Sequence, residues 1–221
     1  MRACGAVIFD LDGVILDSER VAMDRWKQVG ETLGLDGIEQ VYMRCIGTTP
    51  ARTREIMDEA YGPGFSLEDF YTLLRVRFQR GGAQMPVKAG SLEILEALKA
   101  AGLPLAVASS SPEDYVRREL SGAGLLDFFD HVVTGDMVTH SKPHPEIFLK
   151  AGALCGVEPA EIWVIEDSFN GVRAAHAAGM RPLMVPDLIP PDDEMRQKAA
   201  VILPDLLSAR DYLLTLPKEN Q

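Results

Sequence analysis

Short apolar runs alternate along this chain with stretches whose apolar residues recur every three or four positions. Residues 6–9 are four apolar residues in a row, which predicts a short buried strand. From Ser18 to about Arg80 the period becomes helical. Val21, Trp26, Val29 and Leu33 share one face, and Gly34 supplies a stop. Ile38, Val41, Tyr42 and Cys45 continue the theme, then Ile56 and Ala60, then Leu67, Phe70, Leu73, Leu74 and Phe78. Glycine and proline punctuate the block at 47–50 and 62–64, so it reads as a small helical bundle.

After the flexible stretch Gly81-Gly82-Ala83-Gln84-Met85-Pro86 the two patterns alternate. Helices are predicted over 92–101, 112–121, 145–155, 171–178 and 206–214, and strands over 103–108, 131–134, 162–165, 182–185 and 201–203. This order predicts an α/β protein with a three-layer, Rossmann-like core around a parallel sheet with right-handed crossovers. The helical block interrupts it right after the first strand. Residues 17–84 are therefore expected to form an inserted helical-bundle cap domain, and residues 1–16 with 85–221 the catalytic core. Linkers near 13–17 and 81–90 make a hinge.

Composition narrows the function classes. A chain of 221 residues with 47% hydrophobic and 25% charged content suits a soluble globular protein with a sizeable core. A net charge of −11 argues against nucleic-acid binding. No apolar run is long enough to span a bilayer, and the first strand begins too early to leave room for a signal peptide. Cys4, Cys45 and Cys155 are scattered without CxxC spacing, which suits reduced thiols and a cytoplasmic location.

The candidate chemistry lies at the strand ends, where open α/β sheets bind ligands. The first strand runs into Asp10-Leu11-Asp12-Gly13. Two carboxylates two residues apart need a cation between them, although an acidic turn after a strand is an equally ordinary reading of this segment alone. The second strand ends in Ser109-Ser110-Ser111-Pro112-Glu113-Asp114. There Ser111 suits an N-cap, Pro112 the first helical position and Asp114 a capping box. Ser109, the first residue expected beyond the strand, and Ser110 are the candidate phosphate ligands at a helix N-terminus. The fourth strand ends in Glu166-Asp167-Ser168. Four acids at one sheet edge call for a hard, oxygen-ligated cation, which favours Mg²⁺. The candidate metal ligands are Asp10, Asp12, Glu166 and Asp167, with Glu166 direct or acting through water. Asn170 could bond a metal-bound water or simply make a turn. Lys142 sits in Ser141-Lys142-Pro143-His144-Pro145, where prolines stiffen the backbone around a single lysine. His131, His140, His144 and His176 match no ligand spacing and are assigned to no metal.

These parts fit phosphoryl transfer. Asp10 would attack phosphorus and form an aspartyl-phosphate. Mg²⁺, Lys142 and Ser109 would stabilise the transferring group. Asp12 would protonate the leaving alkoxide and then deprotonate the incoming water, its proton held by a pKa that nearby Asp10 raises.

Asp10-Leu11-Asp12-Gly13-Val14, Ser109, Lys142 in Ser-Lys-Pro and Glu166-Asp167-Ser168, each after its strand and in this order, resemble the four motifs of the haloacid dehalogenase (HAD) superfamily. The resemblance spans essentially the whole chain. A helical insertion after the first motif resembles the subclass that contains β-phosphoglucomutase and many sugar-phosphate phosphatases. It implies that the main-chain carbonyl of Asp12 also binds the metal. The departures are informative. True dehalogenases and phosphonatases lack the second aspartate, which is present here as Asp12. The cap lysine a phosphonatase would use has no better candidate than Lys27, placed mid-helix. The mutase's cap histidine is replaced by Ala22, and the Lys-Gly of its next cap segment by Ile46-Gly47. A hydrolase is therefore expected over a mutase.

The expected activity is a Mg²⁺-dependent phosphatase acting on a small phosphorylated metabolite such as a sugar phosphate, as a monomer or weak homodimer. The alternatives are a phosphomutase, a non-catalytic phosphate-binding protein, and a response-regulator receiver, which would lack the helical insertion. Substrate contacts are expected from Glu19, Thr48, Thr49, Arg52 and Arg54. Arg52 reads equally well as part of a solvated helix start, and Arg54 better so. Trp26, Phe70, Tyr71 and Phe78 read as cap core.

Overall fold

A computed structural model describes residues 4–48, 50–78 and 84–217. The elements run β1 (Ala6–Phe9), α1 (Ser18–Leu33), α2 (Ile38–Cys45), α3 (Pro50–Tyr61), α4 (Leu67–Arg77), α5 (Ser91–Ala100), β2 (Leu105–Ser109), α6 (Glu113–Gly122), β3 (His131–Thr134), α7 (Glu146–Cys155), β4 (Ile162–Glu166), α8 (Phe169–Ala177), β5 (Arg181–Met184), α9 (Asp193–Lys198), β6 (Val201–Ile202) and α10 (Leu206–Leu214). Six strands pair in parallel in the order β3-β2-β1-β4-β5-β6. The chain divides into two compact units, Met1–Asp17 with Gln84–Gln221, and Ser18–Ala83.

In the larger unit the sheet is the middle layer. All four residues of β1 are buried, as a central parallel strand requires. Side chains alternate between its faces. Val7 and Phe9 join Leu105, Val107, Trp163 and Ile165 on the face covered by Ile94, Leu95 and Leu98 of α5 and by Leu206, Ala209 and Leu213 of α10. Ala6 and Ile8 join Ala106, Ala108, Ile162 and Val164 on the other face, under Ile147, Phe148 and Ala151 of α7 and Ala174 and Ala175 of α8. These layers match the architecture expected from the alternating pattern.

Two expected boundaries shift near the second motif. β2 runs to Ser109, so Ser109 is the last strand residue rather than the first beyond it. α6 starts at Glu113, and Pro112 occupies the cap position with an extended ψ of 154° and no side-chain cap bond. Ser111 and Asp114 therefore do not form the expected capping box. Proline fixes φ but leaves ψ open, so Pro112 can stand just outside a helix as well as just inside one.

The chain leaves and re-enters the larger unit through adjacent passages. Asp17 N–H donates to Pro86 O at 2.8 Å and Lys88 N–H to Ile15 O at 2.9 Å. Leu16 and Val87 form an antiparallel bridge between them.

In the smaller unit Trp26 is the centre of an aromatic core. Its ring lies edge-on to Tyr42 at 5.1 Å, Phe70 at 4.9 Å and Tyr71 at 6.1 Å, so these residues pack as core, as expected. Phe78 is only half-buried, with the guanidinium of Arg25 over its ring at 5.3 Å.

Candidate active site

Register brings the candidate residues together. Phe9 pairs with Val107 on one side and Ile165 on the other, so the chain emerges from β1 at Asp10 beside the ends of β2 and β4. β1 is also where the strand order reverses, a switch point at which the sheet leaves a crevice.

Lys142 is central to this crevice. Its ammonium group donates to Asp10 Oδ1 at 2.5 Å, Glu166 Oε1 at 2.7 Å and the carbonyl oxygen of Ala108 at 3.1 Å. Those bonds account for its three protons. The lysine side chain is 8% exposed and the Glu166 side chain fully buried. Burial alone would lower the Lys142 pKa, but Asp10 and Glu166 hold it above the ordinary lysine range. Burial pushes the Asp10 carboxyl up to about 7; Lys142 opposes this, and the negative charges of Glu166 and Asp12 add to it.

Asp10, Glu166 and Asp167 each offer a carboxylate oxygen, and these atoms lie within 4.8 Å of one another. Three carboxylates gathered beside one ammonium make a strongly negative cluster that would attract a cation. The donor set is all oxygen, which fits a hard ion such as Mg²⁺. Gly13, at φ 82°, brings the turn so close to Asp167 that a Cβ there would sit 2.7 Å from its Cγ. The two acids of the fourth motif have different surroundings. Glu166 is tied by Lys142 on one oxygen and by the Ser168 N–H (3.0 Å) and Oγ (2.9 Å) on the other.

The Asp12 carboxylate lies outside that acid group. Ser111 Oγ–H donates to its Oδ2 at 2.9 Å and Tyr115 O–H to its Oδ1 at 3.2 Å. Asp12 was also expected at the metal through its main-chain carbonyl, and its side chain is the part held by these two hydroxyls. Ser111 and Tyr115 are functional candidates that sequence reasoning missed. Tyr115 opens no motif and is 103 residues from Asp12, and the only available signal was its place one turn after Ser111.

Ser109 is buried, and its Oγ accepts the Ser111 N–H at 3.0 Å, which fixes the turn at the end of β2. Ser110 is exposed. Asn170 Oδ1 accepts from Arg173 at 3.0 Å. In the smaller unit, Glu19 Oε2 accepts from Tyr42 O–H at 2.5 Å, and Thr48 Oγ1 donates to Cys45 O at 2.7 Å. Arg52 pairs with Glu55 at 2.7 Å and Glu59 at 3.3 Å. Lys27 pairs with Glu39 at 3.1 Å on the surface, and Arg54 is exposed. Thr49 lies outside the described residues.

Comparison with known proteins gives the family. Residues 7–185 match the family model described as haloacid dehalogenase-like hydrolase. A phosphorylated carbohydrates phosphatase of Thermotoga maritima is 34% identical over 176 residues, 79% of this chain and 82% of that protein. Hexitol phosphatase B of Escherichia coli is 31% identical over 228 aligned positions, 94% of this chain and 96% of that protein. The crystal structure of a HAD family hydrolase from Deinococcus radiodurans, with bound phosphate and sodium, superposes with a TM-score of 0.83 at 29% identity, covering 99% of this chain and all of that one.

Proposed function

Since the chain belongs to the haloacid dehalogenase-like hydrolases, we propose that it is a Mg²⁺-dependent phosphatase that cleaves a small phosphorylated sugar or polyol through an aspartyl-phosphate. The observation that carries this reading is the buried Asp10–Lys142–Glu166 ion cluster beside Asp167, with Asp12 held apart from it by two hydroxyls. The named activities of the Thermotoga maritima and Escherichia coli relatives support the substrate class.

Asp10 is the nucleophile. Its attack forms a bond to phosphorus as the bond to the leaving alkoxide breaks. Lys142 favours the ionised form of Asp10 against the effect of burial and orients it, and Glu166 holds Lys142 in place. Asp12 donates its proton to the leaving oxygen, then takes one from the water that hydrolyses the phospho-enzyme. The Ser111 hydroxyl can accept as well as donate, so it serves both protonation states of Asp12. Ser109 and Ser110 are the proposed phosphate contacts at the end of β2. Asp10, Asp167 and the Asp12 carbonyl would hold the metal, which when bound supplies charge neutralisation to the phosphoryl oxygens. Glu19, Thr48 and Arg52 are the proposed substrate contacts of the smaller unit. The cysteines are free, which suits a reducing compartment such as the cytoplasm, and among the described residues no helix is long and apolar enough to cross a membrane.

The test is phosphate release from a panel of phosphorylated sugars and polyols, with Mg²⁺ and with a chelator, beside Asp10→Asn. Release that needs Mg²⁺ and disappears in the variant is expected. Activity retained in Asp10→Asn would overturn the covalent mechanism, and isomerisation of hexose phosphates without release would turn the reading to a mutase.

A further inference from the structure

We propose that His140, His144 and Glu146 form a second metal site, for a borderline divalent ion such as Zn²⁺, on the loop that carries Lys142. Spacing alone gave no reason to assign these histidines to a metal. The loop that carries His140 and His144 folds them together just ahead of α7. Their rings lie 4.5 Å apart at an interplanar angle of 34°. His140 Nδ1 hydrogen-bonds Glu146 Oε2 at 2.9 Å, and His144 Nδ1, which accepts the Glu146 N–H at 3.3 Å, is 3.9 Å from the same oxygen, so an ion would exchange with these two weak surface bonds. One ligand atom from each residue lies within 4.8 Å of the others.

Those separations suit a metal. Ligands about 2.1 Å from a tetrahedral ion sit roughly 3.4 Å from one another, a value the two measured distances bracket. Two imidazoles and one carboxylate are a borderline donor set that prefers Zn²⁺, Co²⁺ or Ni²⁺ to Mg²⁺. This separates the site chemically from the all-oxygen group around Asp10. Three protein ligands leave a coordination position for water, and both histidines line a surface groove from which an ion can enter.

The carboxylate is already oriented. Glu146 Oε1 accepts the Thr139 N–H at 2.8 Å and Oε2 the His140 N–H at 3.0 Å. Such outer contacts fix the direction of a ligand before the ion arrives. They also hold Glu146 well below the usual carboxylate range, together with the His140 ring, so it is ionised and ready to bind. A metal here would clamp the segment 140–146 at both ends, with Lys142 between them. The site stands on these residues alone and does not depend on the reaction proposed above.

The experiment uses the full-length, metal-stripped protein in excess Mg²⁺. Zn²⁺ binding is followed by calorimetry, and Co²⁺ binding by visible absorption. One equivalent of Zn²⁺ with a micromolar Kd and an intense tetrahedral Co²⁺ band are expected. His140→Ala and His144→Ala should each weaken binding at least tenfold, the double variant should abolish it, and Asp167→Asn should leave it intact. Both histidines are surface residues, so the variants should keep the wild-type circular dichroism and melting temperature without metal. Absence of a Zn²⁺ site in the wild type would overturn the proposal. So would one that survives in the double variant, or one lost in Asp167→Asn alone.

Discussion

Gly171→Ala sets two physical effects against each other. Gly171 is the third residue of α8 and is buried. On helix propensity alone, alanine should stabilise that position by about 1 kcal/mol. A methyl group there, however, would overlap the Glu166 carboxyl carbon and both its oxygens. Glu166 has nowhere to retreat, because it is fully buried and bound by Lys142 and Ser168. Overpacking costs about 1–3 kcal/mol, and prising a buried carboxylate from its lysine about 3–5 kcal/mol. Partial relief of the clash puts the net loss at about 3 kcal/mol after the propensity gain. For a chain of this size that lowers the melting temperature by about 6–12 °C. The assay is urea unfolding with the wild type alongside, repeated in a Glu166→Ala background. If the clash is the cause, Gly171→Ala becomes neutral or stabilising once the carboxylate is gone, giving a coupling energy above about 1 kcal/mol. A Gly171→Ala variant as stable as the wild type would refute the reasoning, as would an equal loss in both backgrounds. Activity should fall as well, since Lys142 loses its anchor.

Two further outcomes follow from the same geometry. Tyr115→Phe removes one donor from the Asp12 carboxylate, and a hydrogen bond worth about 1 kcal/mol implies a roughly fivefold loss in kcat with little change in KM; an unchanged kcat would show that Tyr115 does not position Asp12. Burial pushes the Cys4 thiol up to about 12 and the Cys155 thiol up to about 11, and also raises Cys45, so the folded protein at pH 8 should react slowly with a thiol reagent while the unfolded chain titrates three equivalents. Rapid labelling of any cysteine in the folded protein would contradict this.

Much of the fold was legible because its signals are local. Four apolar residues in a row at Ala6–Phe9 allow little but a central strand, and alternating periods define a layered sheet whatever the distant contacts are. The assembly of Asp10, Lys142 and Glu166 was also legible, though indirectly, since each lies at or beyond the end of a strand and parallel strands end at the same edge. The details that failed depend on torsions and contacts with no local signature. Pro112 fits a helix start on either side of the boundary, and its ψ is set by the turn, so the capping box at Ser111 was misread. Ser111 turns instead to Asp12, 99 residues away, and Tyr115 joins it there. The pairing of His140 with His144 was hidden in the same way, because a proline-rich loop has no period from which to infer which side chains meet.

The stitched passages at Ile15–Asp17 and Pro86–Lys88 have a consequence for how such a protein can change over time. Because the two strands of chain are already bonded to each other there, whatever lies between them begins and ends at one fixed doorway. Lengthening a loop whose ends are held costs only about 0.6 kcal/mol per doubling. Residues 18–83 can thus be lengthened, shortened or exchanged for a different sequence at small cost to the sheet. The doorway behaves as a graft point, and a chimera that carries another insertion between Asp17 and Gln84 should inherit the larger unit's stability intact.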